Sequence, residues 1–210
     1  WMVDYWYQGL QGFIKGLIVN VLMPMKNAYL SMPVSATFLL VMGVGYIIGG
    51  LRSALIVGGF LLFIAMTEWW DRALITAYMT SFAVIVSVTI GITVGSICAQ
   101  NSVASKTILL VCDTFQTFPS FIYLIPAMML FGVANDTSVL IAIMVYALVP
   151  ATRYTIQGLL SVPPELKEAG LMSGANRVQR YLSIELPLSF PHLALGMNQT
   201  VVFSLSMVII

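Results

Sequence analysis

The chain has 210 residues, of which 60% are hydrophobic and 8% are charged, and its formal net charge is +1. Soluble domains carry roughly a quarter of their residues as charged side chains, so this composition excludes a soluble globular protein and predicts one that folds in a lipid bilayer. A net charge close to zero also provides no basic field to attract nucleic acid.

The apolar runs decide between the two architectures that can cross hydrocarbon, helices and closed β-barrels. Strands of a barrel would alternate apolar and polar residues over about ten positions, whereas the runs here are long and unbroken. The sequence therefore predicts an all-α membrane protein, a polytopic helical bundle.

Residues 1–32 precede the first long apolar run and contain polar residues such as Lys15 and Lys26. We expect this segment to be an interfacial or partly inserted amphipathic helix. Crossing hydrocarbon takes about 20 apolar residues, and the remaining runs predict a transmembrane domain over residues 33–210. Because the last run stops at Ile210 and the chain does not begin with Met, we expect both ends to be trimmed. The expected spans are 33–51, 53–68, 73–99, 107–132, 137–160 and 193–210.

Small residues inside these runs have structural explanations. Two glycine pairs, Gly45/Gly49 and Gly91/Gly95, each lie one helical turn apart, a spacing that lets two helices approach closely in lipid. Cys98 and Cys112 match no metal or redox spacing. We therefore expect close packing at the glycines and no metal site at the cysteines.

Residues 161–192 form a polar loop that holds three of the nine Lys/Arg and three of the eight Asp/Glu residues. Pro164 fits the first turn of a helix, and Gly174 fits the left-handed position that follows a helix end. Asn176 and Gln179 have the spacing of a capping box for a second helix. The loop therefore predicts a helix–glycine–helix hairpin. Because Lys and Arg favour the cytoplasmic side of a membrane, we place this hairpin in the cytoplasm.

The second helix of the hairpin is expected to be amphipathic. Its apolar residues would face the membrane domain and its charged residues would face water. The apolar set is Val178, Leu182 and Ile184/Leu186, and the charged set is Arg177, Arg180 and Glu185. Pro187, together with Pro191, is expected to stop this helix before the final span.

The motif residues of the loop are Glu168-Ala169-Gly170, then Gly174 after three residues, then Ile184-x-Leu186-Pro187 after nine. This pattern resembles the EAA loop of binding-protein-dependent ABC importers, EAA-x3-G-x9-I-x-LP, with Gly170 in place of the third alanine. The resemblance implies a type I importer permease in which this loop is a coupling helix that docks on an ATPase. The coupling residues it implies are Glu168, Ala169, Gly170, Gly174, Ile184, Leu186 and Pro187.

The resemblance extends to residues 113–132, 149–159 and 196–210, which look like the permeases of the glycine betaine/proline betaine uptake branch. It implies a transport subunit for quaternary-ammonium osmoprotectants in a bacterial cytoplasmic membrane. The implied partners are a second permease copy, two ATPase subunits and an extracytoplasmic binding protein or fused domain. ATP and Mg²⁺ would be held by the ATPase, and no cofactor by this chain.

Polar residues within the spans are candidates for a translocation path, because such residues are costly in a bilayer and usually face a wet cavity or another helix. Asp113, Gln116 and Thr117 follow a helical stripe, and Pro119 is expected to break that helix. Asn198 and Gln199 form a second polar group, and Tyr123 offers a ring to a quaternary ammonium. The alternative is structural: hydrogen bonds between helices, with Asp113 paired to Lys106 or Arg153.

The chain has one histidine and no phosphate-binding loop of the GxxxxGK[ST] type, so we expect no enzymatic activity. One alternative function is a channel or ion-coupled carrier that needs no ATPase. Such a protein is expected to keep an ionisable relay at mid-membrane. A structural scaffold is a third candidate, which would leave the hairpin without a partner.

Overall fold

The computed structural model describes residue 16, residues 18–132 and residues 136–209, and all regular structure in these ranges is helical. The all-α prediction is therefore confirmed for the described ranges, whereas the predictions for Lys15 and the residues before it lie outside them. The α-helices of the described ranges are α1 (Met23–Leu30), α2 (Val34–Met66), α3 (Trp70–Cys98), α4 (Ser102–Thr117), α5 (Leu124–Phe131), α6 (Asp136–Leu160), α7 (Pro164–Met172), α8 (Arg177–Arg180) and α9 (Leu186–Val208).

The chain divides into two compact units, Trp1–Tyr78 and Met79–Ile210. In the first unit, α2 is interrupted at Gly49 and Gly50, and Gly50 has φ 69°, a conformation that favours glycine. A Cβ atom on Gly45 would lie 3.5 Å from the Cα of Ala54. In a straight helix these two positions would be about 13 Å apart along the axis, so the two halves of α2 fold back on each other.

Three helices of the described ranges, α2, α3 and α6, are long and apolar enough to cross a membrane, or up to four if a bent pair counts as one span. The sequence predicted six spans. Two of them, 33–51 and 53–68, lie in the single interrupted helix α2. The last expected span coincides from residue 193 to Val208 with α9, which is not in this set and carries the polar residues Asn198 and Gln199.

The bent pair consists of α4 and the residues Ser120–Phe131, whose axes differ by 106°. Phe118 and Pro119 between them have extended backbones, with ψ 139° and ψ 137°. Proline lacks the N–H that would continue the helical hydrogen bonds and disfavours a helical conformation in the residue before it. The predicted helix break at Pro119 is thus confirmed, and it turns the expected span 107–132 into a broken or re-entrant one.

In the second unit, α6 is the central helix, and most of its residues from Leu140 onward are buried. Gly91 and Gly95 of α3 pack on it, because a Cβ on Gly91 would meet the Cβ of Ala151 at 2.5 Å and one on Gly95 would meet that of Thr155 at 2.7 Å. The predicted close packing at these glycines is therefore confirmed.

Helix α9 packs on α6 through glycines on both sides of the contact. A Cβ on Gly158 of α6 would lie 3.2 Å from the Cβ of Ser189, and one on Gly196 of α9 would lie 2.8 Å from that of Tyr154. These contacts bring the first half of α9 against the C-terminal turns of α6.

We expect Gly91→Ala to destabilise the protein, because the added methyl group would meet the backbone N of Thr152 at 2.9 Å, and backbone cannot move cheaply. Overpacking of this kind typically costs about 1–3 kcal/mol. Gly59→Ala is a matched control, since an added Cβ there would meet nothing within 4 Å apart from its chain neighbours and the nearby backbone of its own helix. Chemical unfolding of both variants in detergent measures the difference, and equal stabilities would contradict the close packing.

Candidate functional site

The polar loop forms the predicted helix–glycine–helix hairpin, here called the coupling hairpin and defined as residues 164–186. Helix α7 begins at Pro164, and Gly174 beyond its end has φ 81°. Asn176 Oδ1 accepts a hydrogen bond from the backbone N–H of Gln179 at 2.8 Å, and the Gln179 side chain accepts one from the Asn176 N–H at 2.9 Å. This reciprocal pair is the predicted capping box, which is confirmed.

The two arms of the coupling hairpin meet at Gly170 and Ile184. Gly170 is buried, and a Cβ at this position would lie 2.6 Å from Cδ1 of Ile184. Gly170 replaces the third alanine of the EAA pattern, and the space that an alanine methyl group would take is occupied by the Ile184 side chain of the second arm. This contact gives a physical reason for the spacing between the two halves of the motif.

The expected orientation of the second arm holds for some of its residues, since Ile184 and Leu186 are half-buried and Arg177 is exposed, but it was wrong for four others. Val178 and Leu182 are 64% and 54% exposed, whereas the side chains of Arg180 and Glu185 are only 24% and 14% exposed. Arg180 Nε donates to Glu185 Oε1 at 2.7 Å. The two charges neutralise each other, which lets them turn inward and leaves the apolar residues on the outside.

The expected helix stop at the prolines was also wrong, because residues 177–208 form one continuous helical run. A π-helix, Tyr181–Glu185, separates α8 from α9, and Pro187 follows it by two residues. Pro24 follows the other π-helix, Ile18–Leu22, by the same two residues. The wider π-turn accommodates the proline. In a regular α-helix its missing N–H and the clash of its ring with the preceding turn would break the helix.

The remaining motif residues differ in exposure. Glu168, Ala169 and Pro187 are exposed, whereas Leu186 is half-buried. Lys167, next to Glu168, donates from Nζ to the carbonyl of Leu159 at 3.0 Å. This bond places a cation at the C-terminal end of α6, where the helix dipole favours it, and fastens the hairpin to that helix.

A second polar group lies at Arg153 of α6. Its Nη1 atom is 2.7 Å from Oδ1 of Asp113 and donates to Oε1 of Gln116 at 2.6 Å. Of the two partners that the sequence left open for Asp113, the structure has Arg153 rather than Lys106. The pair joins α6 to α4 just before the break at Pro119.

A cavity of about 360 Å³ opens beside Arg153, and its walls come from α4, α6 and α9. Gln116 and Gln199, two predicted path residues, are in the wall, whereas Asn198 is exposed. Thr117 instead donates its hydroxyl to the carbonyl of Thr114 at 2.7 Å. The lining residues are Gln116, Pro150, Arg153, Tyr154, Gln157, Gln199 and Phe203.

Aromatic rings continue from the cavity in a connected row. Phe203 stacks on Tyr146 with 4.8 Å between ring centroids, and Tyr146 lies 5.6 Å from Tyr123. Tyr123 stacks in turn on Phe115 at 5.8 Å and donates its hydroxyl to the Phe115 carbonyl. Tyr123 therefore belongs to this row rather than to the cavity wall.

The sequence did not identify four of the lining side chains, which are Pro150, Tyr154, Gln157 and Phe203. A helical-spacing signal existed for two of them, because Gln157 lies one turn after Arg153 and Phe203 one turn after Gln199. The row of aromatic rings had no such signal, since its members come from separate segments of the chain.

Residues 91–210, more than half of the 210 residues, match the family described as binding-protein-dependent transport system inner membrane component. The chain belongs to this family. The matched residues include both the coupling hairpin and the residues that line the Arg153 cavity.

Relatives of this inner membrane component are named as transport permeases. The trimethylamine N-oxide transport system permease protein TmoV of Pelagibacter ubique is 61% identical over the whole chain, which covers 29% of that protein. TmoV of Ruegeria pomeroyi is 43% identical over 92% of the chain and 29% of the relative. The glycine betaine/proline betaine transport system permease protein ProW of Escherichia coli is 31% identical over the whole chain and 59% of its own length.

We expect Asp113 and Arg153 to be energetically coupled in this permease-family chain. In a double-mutant cycle of Asp113→Asn and Arg153→Gln, the stability of the double variant should differ from the sum of the single effects by about 1 kcal/mol or more. Chemical unfolding in detergent provides the measurement. Lys106→Gln is the control partner, for which additive effects with Asp113→Asn are expected. Additive effects for the Asp113 and Arg153 variants would contradict the ion pair.

Proposed function

We propose that the chain is the membrane-spanning permease part of an ATP-driven importer for small trimethylated amines. The observation that carries this proposal is the coupling hairpin, whose sequence follows the EAA pattern and whose fold leaves Glu168 and several apolar side chains exposed. An exposed apolar surface beside a charge is typical of a docking site for another protein. Two cytoplasmic ATPase subunits are the proposed occupants, and they would hold ATP and Mg²⁺.

The proposed orientation places the coupling hairpin in the cytoplasm of a bacterium, on the inner face of its cytoplasmic membrane. Lys167, Arg177 and Arg180 of the hairpin support this side, because positive residues are enriched in cytoplasmic loops. A second permease copy would complete the path, and an extracytoplasmic binding protein or domain would deliver substrate.

The structure suggests how ATPase movement would reach the path. Helical residues run without interruption from Arg177 to Val208, so a shift of the hairpin is carried along α9 to Gln199 and Phe203. The bond from Lys167 to Leu159 connects the same hairpin to α6, which carries Arg153. Because both helices are connected to the coupling hairpin, a movement of the hairpin can shift them relative to each other and so open or close the cavity between them.

The proposed path residues are those near the cavity, Gln116, Gln199 and the Asp113–Arg153 pair. Ionisable side chains within membrane segments are costly and mark substrate paths when they line a cavity. Pro119 contributes by bending the broken span. Thr117, Tyr123 and Asn198 are proposed to flank this path rather than line it.

The proposed substrate class rests on the relatives. The relative that is 61% identical is named for trimethylamine N-oxide, and the relative that is 31% identical is named for glycine betaine and proline betaine. These molecules share a methylated nitrogen with a positive charge and an oxygen with a negative charge. We propose trimethylamine N-oxide as the first substrate to test and glycine betaine as the second.

We expect ATP-dependent uptake of labelled trimethylamine N-oxide or glycine betaine by proteoliposomes that contain the complete transporter with its ATPase and binding protein. Replacing ATP by a non-hydrolysable analogue is the control, and it should abolish accumulation. Accumulation that persists without ATP hydrolysis would favour the channel or ion-coupled carrier. Absence of uptake for every trimethylated amine tested would reject the proposed substrate class.

We expect Glu168→Lys to reduce uptake roughly tenfold, a change equivalent to about 1.4 kcal/mol, without lowering the amount of permease in the membrane. Glu168 is exposed and has no ion pair with another described residue, so the chain itself should not be disturbed. Co-purification of the ATPase and uptake are the two measurements.

Glu165→Lys is the matched control for this variant, because it reverses a charge on the exposed surface of the same helix outside the motif. Its uptake should stay within about twofold of wild type, as for most surface substitutions. Equal uptake by the Glu168→Lys and wild-type transporters would remove Glu168 from the docking site.

A further inference from the structure

We propose that the cavity beside Arg153 is a binding site for a small zwitterion, with an anionic oxygen held by Arg153 and a trimethylated nitrogen held by Phe203. The proposal rests on the proposed function and deepens it, because it assigns the two charged ends of the substrate to named side chains.

The size of the cavity fits such a ligand. Small-molecule sites occupy roughly 300–1,000 Å³, and this one measures about 360 Å³. It therefore has room for a molecule of a few heavy atoms together with water.

The cavity wall offers hydrogen-bond donors to the anionic end of the ligand. Both contacts of Arg153 use Nη1, whereas a guanidinium group has five N–H donors. Its Nη2 and Nε atoms make no hydrogen bond with another described residue, and the side-chain amides of Gln157 and Gln199 make none either. A carboxylate or N-oxide oxygen in the cavity can accept charge-assisted hydrogen bonds from Arg153, which are stronger than neutral ones.

The cavity wall offers an aromatic surface to the cationic end of the ligand. Phe203 lines the cavity, and its stacking on Tyr146 holds the ring in place. Tyr154 adds a second aromatic side chain to the wall. A quaternary ammonium is attracted by the negative face of such rings, most strongly where water is excluded.

The charges of the site favour a ligand without net charge. Asp113 neutralises Arg153 at 2.7 Å, so the pair carries no net charge into the membrane. A zwitterion preserves this balance. A plain cation such as choline would bring a like charge towards Arg153 and would offer no anionic oxygen for the guanidinium group to bind.

The cavity lies towards the end of α6 that leads into the coupling hairpin. Arg153 precedes the last residue of α6, Leu160, by seven residues, or roughly 10 Å along the axis. A ligand in this position lies between two helices that the hairpin connects, so its release would respond directly to the ATPase.

The test is equilibrium binding of labelled trimethylamine N-oxide and glycine betaine to the permease–ATPase complex in nanodiscs without the binding protein. We expect saturable binding of both, with displacement by unlabelled betaine and not by choline or acetate at the same concentration. Phe203→Leu should weaken binding roughly five- to tenfold, and Gln157→Leu roughly tenfold.

Two variants control for folding and position. Phe203→Tyr keeps an aromatic ring and should bind like wild type. Phe190→Leu removes a phenyl ring from the same helix, and since Phe190 is 60% exposed and outside the cavity wall, its affinity should not change. Absence of saturable binding, displacement by choline as effective as by betaine, or equal affinities for Phe203→Leu and Phe190→Leu would each overturn the site.

Uptake measured on the same variants separates this site from the proposed function. ATP-driven uptake that is unchanged in Phe203→Leu, together with unchanged binding, overturns the site and leaves the importer standing. Binding that depends on Phe203, together with accumulation that needs no ATP hydrolysis, supports the site and overturns the ATP-driven importer.

Discussion

Close contact between helices at small residues is the constraint on which the second unit depends. In a bilayer, burying a leucine between helices gains little over burying it in lipid, so helices associate where small residues let their atoms approach closely. Gly91 and Gly95 provide this for α3 on α6, and Gly158 and Gly196 provide it for α6 on α9. Helix α6 therefore packs between α3 and α9. This packing places Arg153 beside other helices, where a charged side chain costs less than it would in contact with lipid.

The coupling hairpin and the cavity belong to one mechanical unit. Ile184 packs on Gly170 inside the hairpin, and the helical run from Arg177 to Val208 leads from that contact to the cavity wall. The π-helix at Tyr181–Glu185 makes this continuity possible, because it takes up Pro187 without ending the helix. A proline stop at the same place would have disconnected the hairpin from the cavity, as would a flexible linker.

Two ion pairs hold the partly buried charges of the functional regions, whereas exposed charges of the coupling hairpin such as Glu168 have no ion pair with another described residue. Arg153 with Asp113 and Arg180 with Glu185 each place a guanidinium 2.7 Å from a carboxylate. Pairing lowers the cost of removing charges from water, and it matters most where the dielectric constant is low. Around Arg153 the pairing has a further consequence, since it leaves hydrogen-bond donors facing a cavity without leaving an uncompensated charge there.

The sequence by itself determined the features that depend on composition and local chemistry. These are the helical membrane architecture, the break at Pro119, and the hairpin with Gly174 and its capping box, because they follow from apolar run length, a missing N–H and short-range hydrogen bonds. Only the tertiary structure decided that α2 folds back on itself, that Val178 and Leu182 point outward, and that Asp113 pairs with Arg153. It also decided that Gln157 and Phe203 share a cavity with Gln116. Such outcomes depend on which distant helices meet, and a single sequence gives each side chain's position along its own helix but not its neighbour across the interface.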